Sequence, residues 1–191
     1  QGLPGPAIGF LQEALRWWDH WLKDEPNGIM EEPMLRAWQQ DSVPPDNSYA
    51  DRPGRWIGER QWPTDNVLER RFALRPYQLV EESKDQSASG STDESTSMGL
   101  QSPLSVGLEA GKWCSYAATP DLPGDQREED GGSLIFSSPS LTEPLCIFGM
   151  PELELEVSSN KPQAMVAVRL ADVAPDGKAT RVSYGLLNLT H

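Results

Sequence analysis

The side chains that could do hydrolytic or metal chemistry are few, and their spacing does not assemble a site. The chain has two histidines, His20 and His191. His20 lies in Trp17-Trp18-Asp19-His20-Trp21, where the aromatic neighbours favour a structural role, and His191 is the last residue. A serine nucleophile of the common hydrolase type sits in a G-x-S-x-G elbow, which lifts the hydroxyl out of a sharp strand-to-helix turn. No such elbow occurs, and the tract Ser87 to Ser91 matches it in composition alone. Gly107-Leu108-Glu109-Ala110-Gly111-Lys112 resembles a phosphate loop but has one residue too few between its glycines. It also continues with Trp113 instead of Ser or Thr.

Carboxylates are plentiful, so pairing them on paper is easy. The densest group is Asp125, Glu128, Glu129 and Asp130 around Arg127. It fits a solvated acidic turn, a calcium site or an Asp–Arg brace between loops. The alternating ligands of an EF-hand are absent, and the brace is the favoured reading. Glu152, Glu154 and Glu156 read as the wet face of a strand, where like charges discourage edge pairing. Trp56 and Trp62 could stack on a sugar, although packing is the commoner fate of tryptophan. Cys114 and Cys146 form no CxxC and offer no metal spacing, so a reducing, cytoplasmic setting is the default. The sequon Asn188-Leu189-Thr190 carries little weight without a secretory signal. No catalytic, cofactor-binding or metal-binding residue is assigned to the chain.

The elements around these residues are mostly strands. The best specified stretch runs from Gly149 to Leu189. Leu153, Leu155 and Val157 alternate with glutamates, which gives an extended segment one apolar and one acidic face. Ala164 to Val173 is nearly all apolar, as expected of a strand covered on both faces. Pro175-Asp176-Gly177 is turn chemistry, with glycine supplying a positive φ, and a third strand follows it. Further strands are predicted at Pro33 to Gln40, Val67 to Leu74, Ser133 to Ser137 and Pro144 to Phe148. Residues 81–103, polar and small, are predicted to be a flexible insert, because they cannot offset their ordering entropy. Short strands with turns between them favour a sandwich or jelly roll.

One helix precedes them. Gly5-Pro6 opens it, and from Ala7 to Lys23 it carries two adjacent apolar stripes. These are Ile8, Leu11, Leu15, Trp18 and Leu22, then Phe10, Ala14, Trp17 and Trp21. Such a helix needs a large body to lie against, and little before residue 100 supplies one. The formal charge of −13 disfavours a nucleic-acid or anionic-membrane partner. No apolar run approaches a membrane span, no signal peptide is visible, and a start at Gln1 without Met reads as the interior of a longer chain.

Several of these residues fall in a familiar order. Gly124-Asp125-Gln126-Arg127, Asp130, Ser133-Leu134, Phe136, Ser138, Leu145, Gly149 and Pro151 are followed by Arg169-Leu170, Asp172-Val173 and Pro175-Asp176-Gly177. Val182-Ser183 and Gly185 complete the series. This resembles the C-terminal non-catalytic domain of the X-Pro dipeptidyl-peptidase family, which includes cocaine esterase and the glutaryl-acylase-like acyl esterases. Trp18 to Lys23 with Asn27-Gly28 and Glu32-Pro33 looks like the helix and turn that close that family's α/β-hydrolase domain. Trp56 and Trp62-Pro63 look like the segment leading into its β domain.

The resemblance implies a mainly β chain: a partial jelly-roll, galactose-binding-like β-sandwich preceded by one α-helix left over from an α/β-hydrolase domain. Residues 1–63 would be the end of the hydrolase domain, and 64–191 a jelly roll incomplete at its C-terminus. The parent would be a serine acyl hydrolase cleaving ester or amide bonds, with no cofactor, and the choice among esters, β-lactam side-chain amides and X-Pro dipeptidyl bonds stays open. Its catalytic triad would precede this chain, which alone would be inactive. The expected partner is the rest of the catalytic domain, whose substrate cleft the β domain helps shape, and homo-oligomerisation stays open. The alternative is a stand-alone carbohydrate-binding or adhesion module, in which the apolar helix has no place.

Overall fold

A computed structural model describes residues 5–83, 97–112 and 120–190. The described chain is mainly β, with one main helix and three separate two-stranded antiparallel sheets. Helix α1 spans Phe10–Lys23, three residues shorter at its start than the periodicity predicts. Gly9 stands at its N-cap, and Asp24 ends it in the left-handed conformation with φ 56°. Its apolar stripe faces solvent: Leu11 is 75% and Leu22 73% exposed, and Trp18 and Trp21 are about half exposed.

Strands β1 (Leu35–Gln40) and β2 (Gly54–Glu59) pair in a register that sets Trp38 opposite Trp56. Gly54 admits that approach, since a Cβ there would lie 2.2 Å from the Gln39 carbonyl and 2.9 Å from the Trp38 indole. Strands β3 (Phe72–Arg75) and β4 (Gln78–Glu81) form a tight hairpin across Pro76-Tyr77, with Tyr77 at φ 61°. The strand predicted over Val67 to Leu74 therefore begins five residues later, and Glu81 belongs to β4, not to the insert. Residues 84–96 of that insert lie outside the described residues, as do Ser87 to Ser91, Cys114 and His191.

Strands β5 (Met165–Val173) and β6 (Ala179–Asn188) make the longest hairpin, with an irregularity between Leu170 and Ala171. The turn is closed by Gly177 N–H donating to the Ala174 carbonyl at 2.8 Å and Ala174 N–H to Lys178 at 2.9 Å. Asp176 Oδ1 accepts the Lys178 N–H at 3.0 Å, and Gly177 sits at φ 82°. The predicted turn chemistry is what the chain uses. Burial on both faces of β5 is not: Val166, Val168, Leu170 and Asp172 are partly covered, while Met165, Ala167, Ala171 and Val173 are exposed. One neighbouring strand covers an edge, not a face.

Three predicted strands do not form. Ser133 to Ser137 contributes a single parallel bridge, Ser137 to Gln78. Pro144 to Phe148 and Leu153 to Val157 run without ladder partners, their apolar side chains close to half exposed. Period-two patterning states which side chains share a face; it does not supply the neighbour that satisfies the backbone N–H and C=O groups. Among the described residues no strand of one sheet is hydrogen-bonded into another.

Gly177→Ala places a Cβ 3.3 Å from the Arg127 guanidinium in a backbone conformation that L-residues avoid. The expected loss is about 1 kcal/mol, from the left-handed φ alone. Urea denaturation with an unchanged slope would read it as a lower midpoint, and an unshifted midpoint would contradict the turn's role.

Candidate functional site

Among the described residues the best-buried part is polar. Gln126 is 2% and Glu129 3% exposed, whereas Ala179 is the one buried apolar side chain among the described residues, at 5%. Both polar residues belong to a 3-10 stretch, Gln126–Gly132, which Asp125 caps by accepting the Arg127 N–H at 3.1 Å. A buried carboxylate needs donors on its lone pairs. Glu129 finds them in the backbone: Gly107 N–H donates to Oε2 at 2.5 Å and Glu109 N–H to Oε1 at 2.7 Å.

The glycine-rich loop at 107–112 is thus an anion cradle whose anion is internal. Gly107 adopts φ 108° and Gly111 φ 71°, and a Cβ at 111 would lie within 2.9 Å of the Leu122 and Asp121 backbone. Gln126 Nε2 donates to the carbonyls of Glu109 and Gly124, both at 2.9 Å. From β5, Arg169 donates to Gln126 Oε1 and to Ser133 Oγ, both at 3.1 Å. Ser133 Oγ in turn donates to the Glu129 carbonyl at 2.9 Å. Arg181 of β6 donates to the Ala110 carbonyl at 2.5 Å and lies 4.1 Å over the Tyr184 ring, its pKa lowered first by burial.

Beside this hub Asp125 and Arg127 form the predicted kind of brace. Arg127 donates Nε and Nη2 to Asp125 Oδ2 at 2.9 and 2.6 Å, and Nη1 to the Asp176 carbonyl at 3.4 Å. Asp125 Oδ1 also accepts the Ala179 N–H at 3.0 Å, which ties the 3-10 stretch to the start of β6. Burial alone would raise the Asp125 carboxyl, but the Arg127 side chain and the two backbone N–H groups outweigh it and hold it at about 2. Asp130, which accepts no such set, is pushed up by burial despite Arg169 nearby. Glu128, the remaining carboxylate of the cluster, is exposed. These groups hold loops together.

The other candidate residues are dispersed. His20 Nδ1 lies 3.2 Å from the Glu25 carbonyl, and its ring meets Trp21 edge-on at 5.0 Å. Trp56 packs edge to face on Trp38 at 5.5 Å, and Trp62 on Phe148 at 5.3 Å, so neither presents its face to a stacked aromatic neighbour. Cys146 is a free, exposed thiol 3.7 Å from Arg55 Nη2. No group of three or more His, Cys, Asp or Glu able to hold a metal occurs among the described residues, and none of their helices is long and apolar enough to cross a membrane. A concavity of about 400 Å³ lies between Val43 and the β5–β6 turn. Its polar groups are already engaged: Ser42 donates to Asp172, and Thr180 to the Val43 carbonyl at 2.7 Å.

Asp125 makes a pH prediction with a definite sign. Its folded pKa of about 2 lies below the ordinary value of about 3.9. Between those values the unfolded chain binds a proton that the folded chain does not, so stability falls as pH falls. Asp125→Asn should be less stable than the native chain at pH 7, and the gap in thermal midpoint should close as pH drops from about 4 to about 2. A gap that stays constant across that range would contradict the brace.

Comparison with known proteins gives a family for most of the chain. The profile described as the X-Pro dipeptidyl-peptidase C-terminal non-catalytic domain matches residues 27–191. Among curated proteins, "Putative serine esterase Mb1866c" of Mycobacterium bovis and "Putative serine esterase MT1883" of Mycobacterium tuberculosis are each 23% identical over 194 residues. Those alignments cover 100% of this chain but 28% of either relative, so the chain spans under a third of the relatives' length. No solved structure gives a significant match. The family match takes in the hub, the brace and the β5–β6 hairpin: the chain belongs to the family of the X-Pro dipeptidyl-peptidase C-terminal non-catalytic domain.

Proposed function

We propose that this chain is the C-terminal segment of a serine acyl hydrolase that cleaves ester or amide bonds, and that it contributes structure, not catalytic groups, to that enzyme. The observation that carries the proposal is the non-catalytic-domain match over residues 27–191, joined to relatives named as serine esterases. The side-chain chemistry is consistent with it. The charged and polar groups that are best buried hold one another, and His20 bonds a backbone carbonyl instead of a serine.

In this reading α1 closes the catalytic domain and lays its exposed apolar stripe on the rest of it. The face carrying Leu11, Leu15, Trp18 and Leu22 holds no charge, which suits an apolar neighbour within the same enzyme. The β part packs on that body in a cytoplasmic setting and helps shape the substrate cleft. A serine nucleophile, a histidine base and an orienting carboxylate would come from the remainder of the enzyme. Whether that enzyme takes simple esters, amides or X-Pro peptides depends on pocket residues outside this chain.

A serine-directed fluorophosphonate probe distinguishes the outcomes. The full-length parent should be labelled at a serine outside residues 1–191. The isolated chain should stay unlabelled and should turn over p-nitrophenyl acetate and Gly-Pro-p-nitroanilide no faster than a heat-killed control. Labelling within 1–191, or turnover by the isolated chain, would overturn the proposal.

A further inference from the structure

Helix α1 is tied to the rest of the described chain through its polar edge. Four side chains close a ring of alternating charge. Arg16 contacts Glu13 at 3.3 Å, Glu13 contacts Arg36 at 3.0 Å, Arg36 contacts Glu32 at 2.9 Å, and Glu32 closes the ring on Arg16. Glu13 and Arg16 are one turn apart on α1, while Arg36 lies on β1 and Glu32 just ahead of it. Two sides of the ring therefore lie within one stretch of chain, and two cross from α1 to the segment leading into β1. Asn27 adds a neutral pin, donating Nδ2 to the Arg16 carbonyl at 2.6 Å.

The ring also straddles a boundary. The family match begins at residue 27, so Glu13 and Arg16 precede it and Glu32 and Arg36 fall inside it. All four side chains are partly exposed. Isolated pairs of that kind contribute little, but in a closed ring each charge has two opposite neighbours, and the whole set is open to screening by salt. The apolar stripe meanwhile points away from the other described residues, so hydrophobic packing among them does not set the helix angle.

We infer that the Glu13–Arg16–Glu32–Arg36 ring is an ionic joint that fixes the angle of α1 against the family domain and loosens as ionic strength rises. The inference stands on the geometry and on where the family match begins, and holds whatever reaction the parent catalyses. Because α1 enters from outside the matched domain, the joint governs how the preceding polypeptide is aimed at that domain. Asn27 limits the motion: its uncharged bond survives salt, so α1 swings without detaching.

Residual dipolar couplings of the backbone amides test this in the full 191-residue chain. At about 20 mM salt α1 and the β1–β2 hairpin should share one alignment, and near 500 mM the α1 couplings should shrink while those of β1–β2 persist. Reversing one side only, as E13R/R16E or E32R/R36E, keeps the pair within each stretch but sets like charges across the joint. Either variant should lose the shared alignment at low salt. The four-fold reversal E13R/R16E/E32R/R36E restores every opposite-charge contact and should regain it. Unchanged α1 couplings in the half-reversed variants would overturn the joint. So would failure of the four-fold variant to recover while its β1–β2 couplings stay native. Should half-reversal unfold the hairpin, Arg16→Met opens two sides of the ring without adding repulsion, and unchanged α1 couplings there would overturn the inference equally.

Discussion

A buried carboxylate that must be fed by backbone N–H groups is the constraint on which this fold turns. Glu129 is nearly out of water, and its two oxygens are satisfied by Gly107 and Glu109. That requirement bends the 107–111 loop through two positive-φ glycines and brings Glu109 and Ala110 within reach of Gln126 and Arg181. Arg169 then anchors β5 to the same point through Gln126 and Ser133, and Asp125 anchors β6 through the Ala179 N–H. Removing one partner from such a set leaves another buried and unsatisfied, at a cost of about 1–3 kcal/mol each. A hub of this kind specifies geometry sharply, since hydrogen bonds are directional where apolar contact is not.

Sequence patterning reads what is local and misses what is paired at a distance. Helix α1, the β5–β6 hairpin and its Pro175-Asp176-Gly177 turn depend on neighbours in sequence, and all three are legible. The β3–β4 hairpin is hidden because Tyr77 takes the positive-φ position where glycine or asparagine would advertise a turn. Strand β2 is masked by its glycines, Gly54 and Gly58, of which the first lets the backbone come against Trp38. Leu153 to Val157 shows the opposite failure, a clean alternation that forms no ladder among the described residues. In the hub, the Asp125–Arg127 brace is legible because the residues are two apart. The cradle for Glu129 is not, although a signal was present: a glycine-rich loop resembling an anion site, with the anion supplied from twenty residues downstream.

The same contrast frames function. Charged groups abound, but the best-buried ones are committed to one another, and Trp56 and Trp62 each meet an aromatic partner edge to face. The exposed surface of the described residues also carries apolar groups: the stripe of α1 and the half-exposed strand-like segments near Leu145 and Leu153. Apolar surface of this kind is suited to packing against another body.

Native-state amide hydrogen exchange along the chain tests the primacy of the polar hub most directly. The account predicts that the Gly107, Glu109 and Ala179 amides, bonded to the Glu129 and Asp125 carboxylates, exchange as slowly as the paired amides of β5 and β6. Fast exchange at these three positions, with β5 and β6 still protected, would show that the hairpin stands without the hub and would contradict the account.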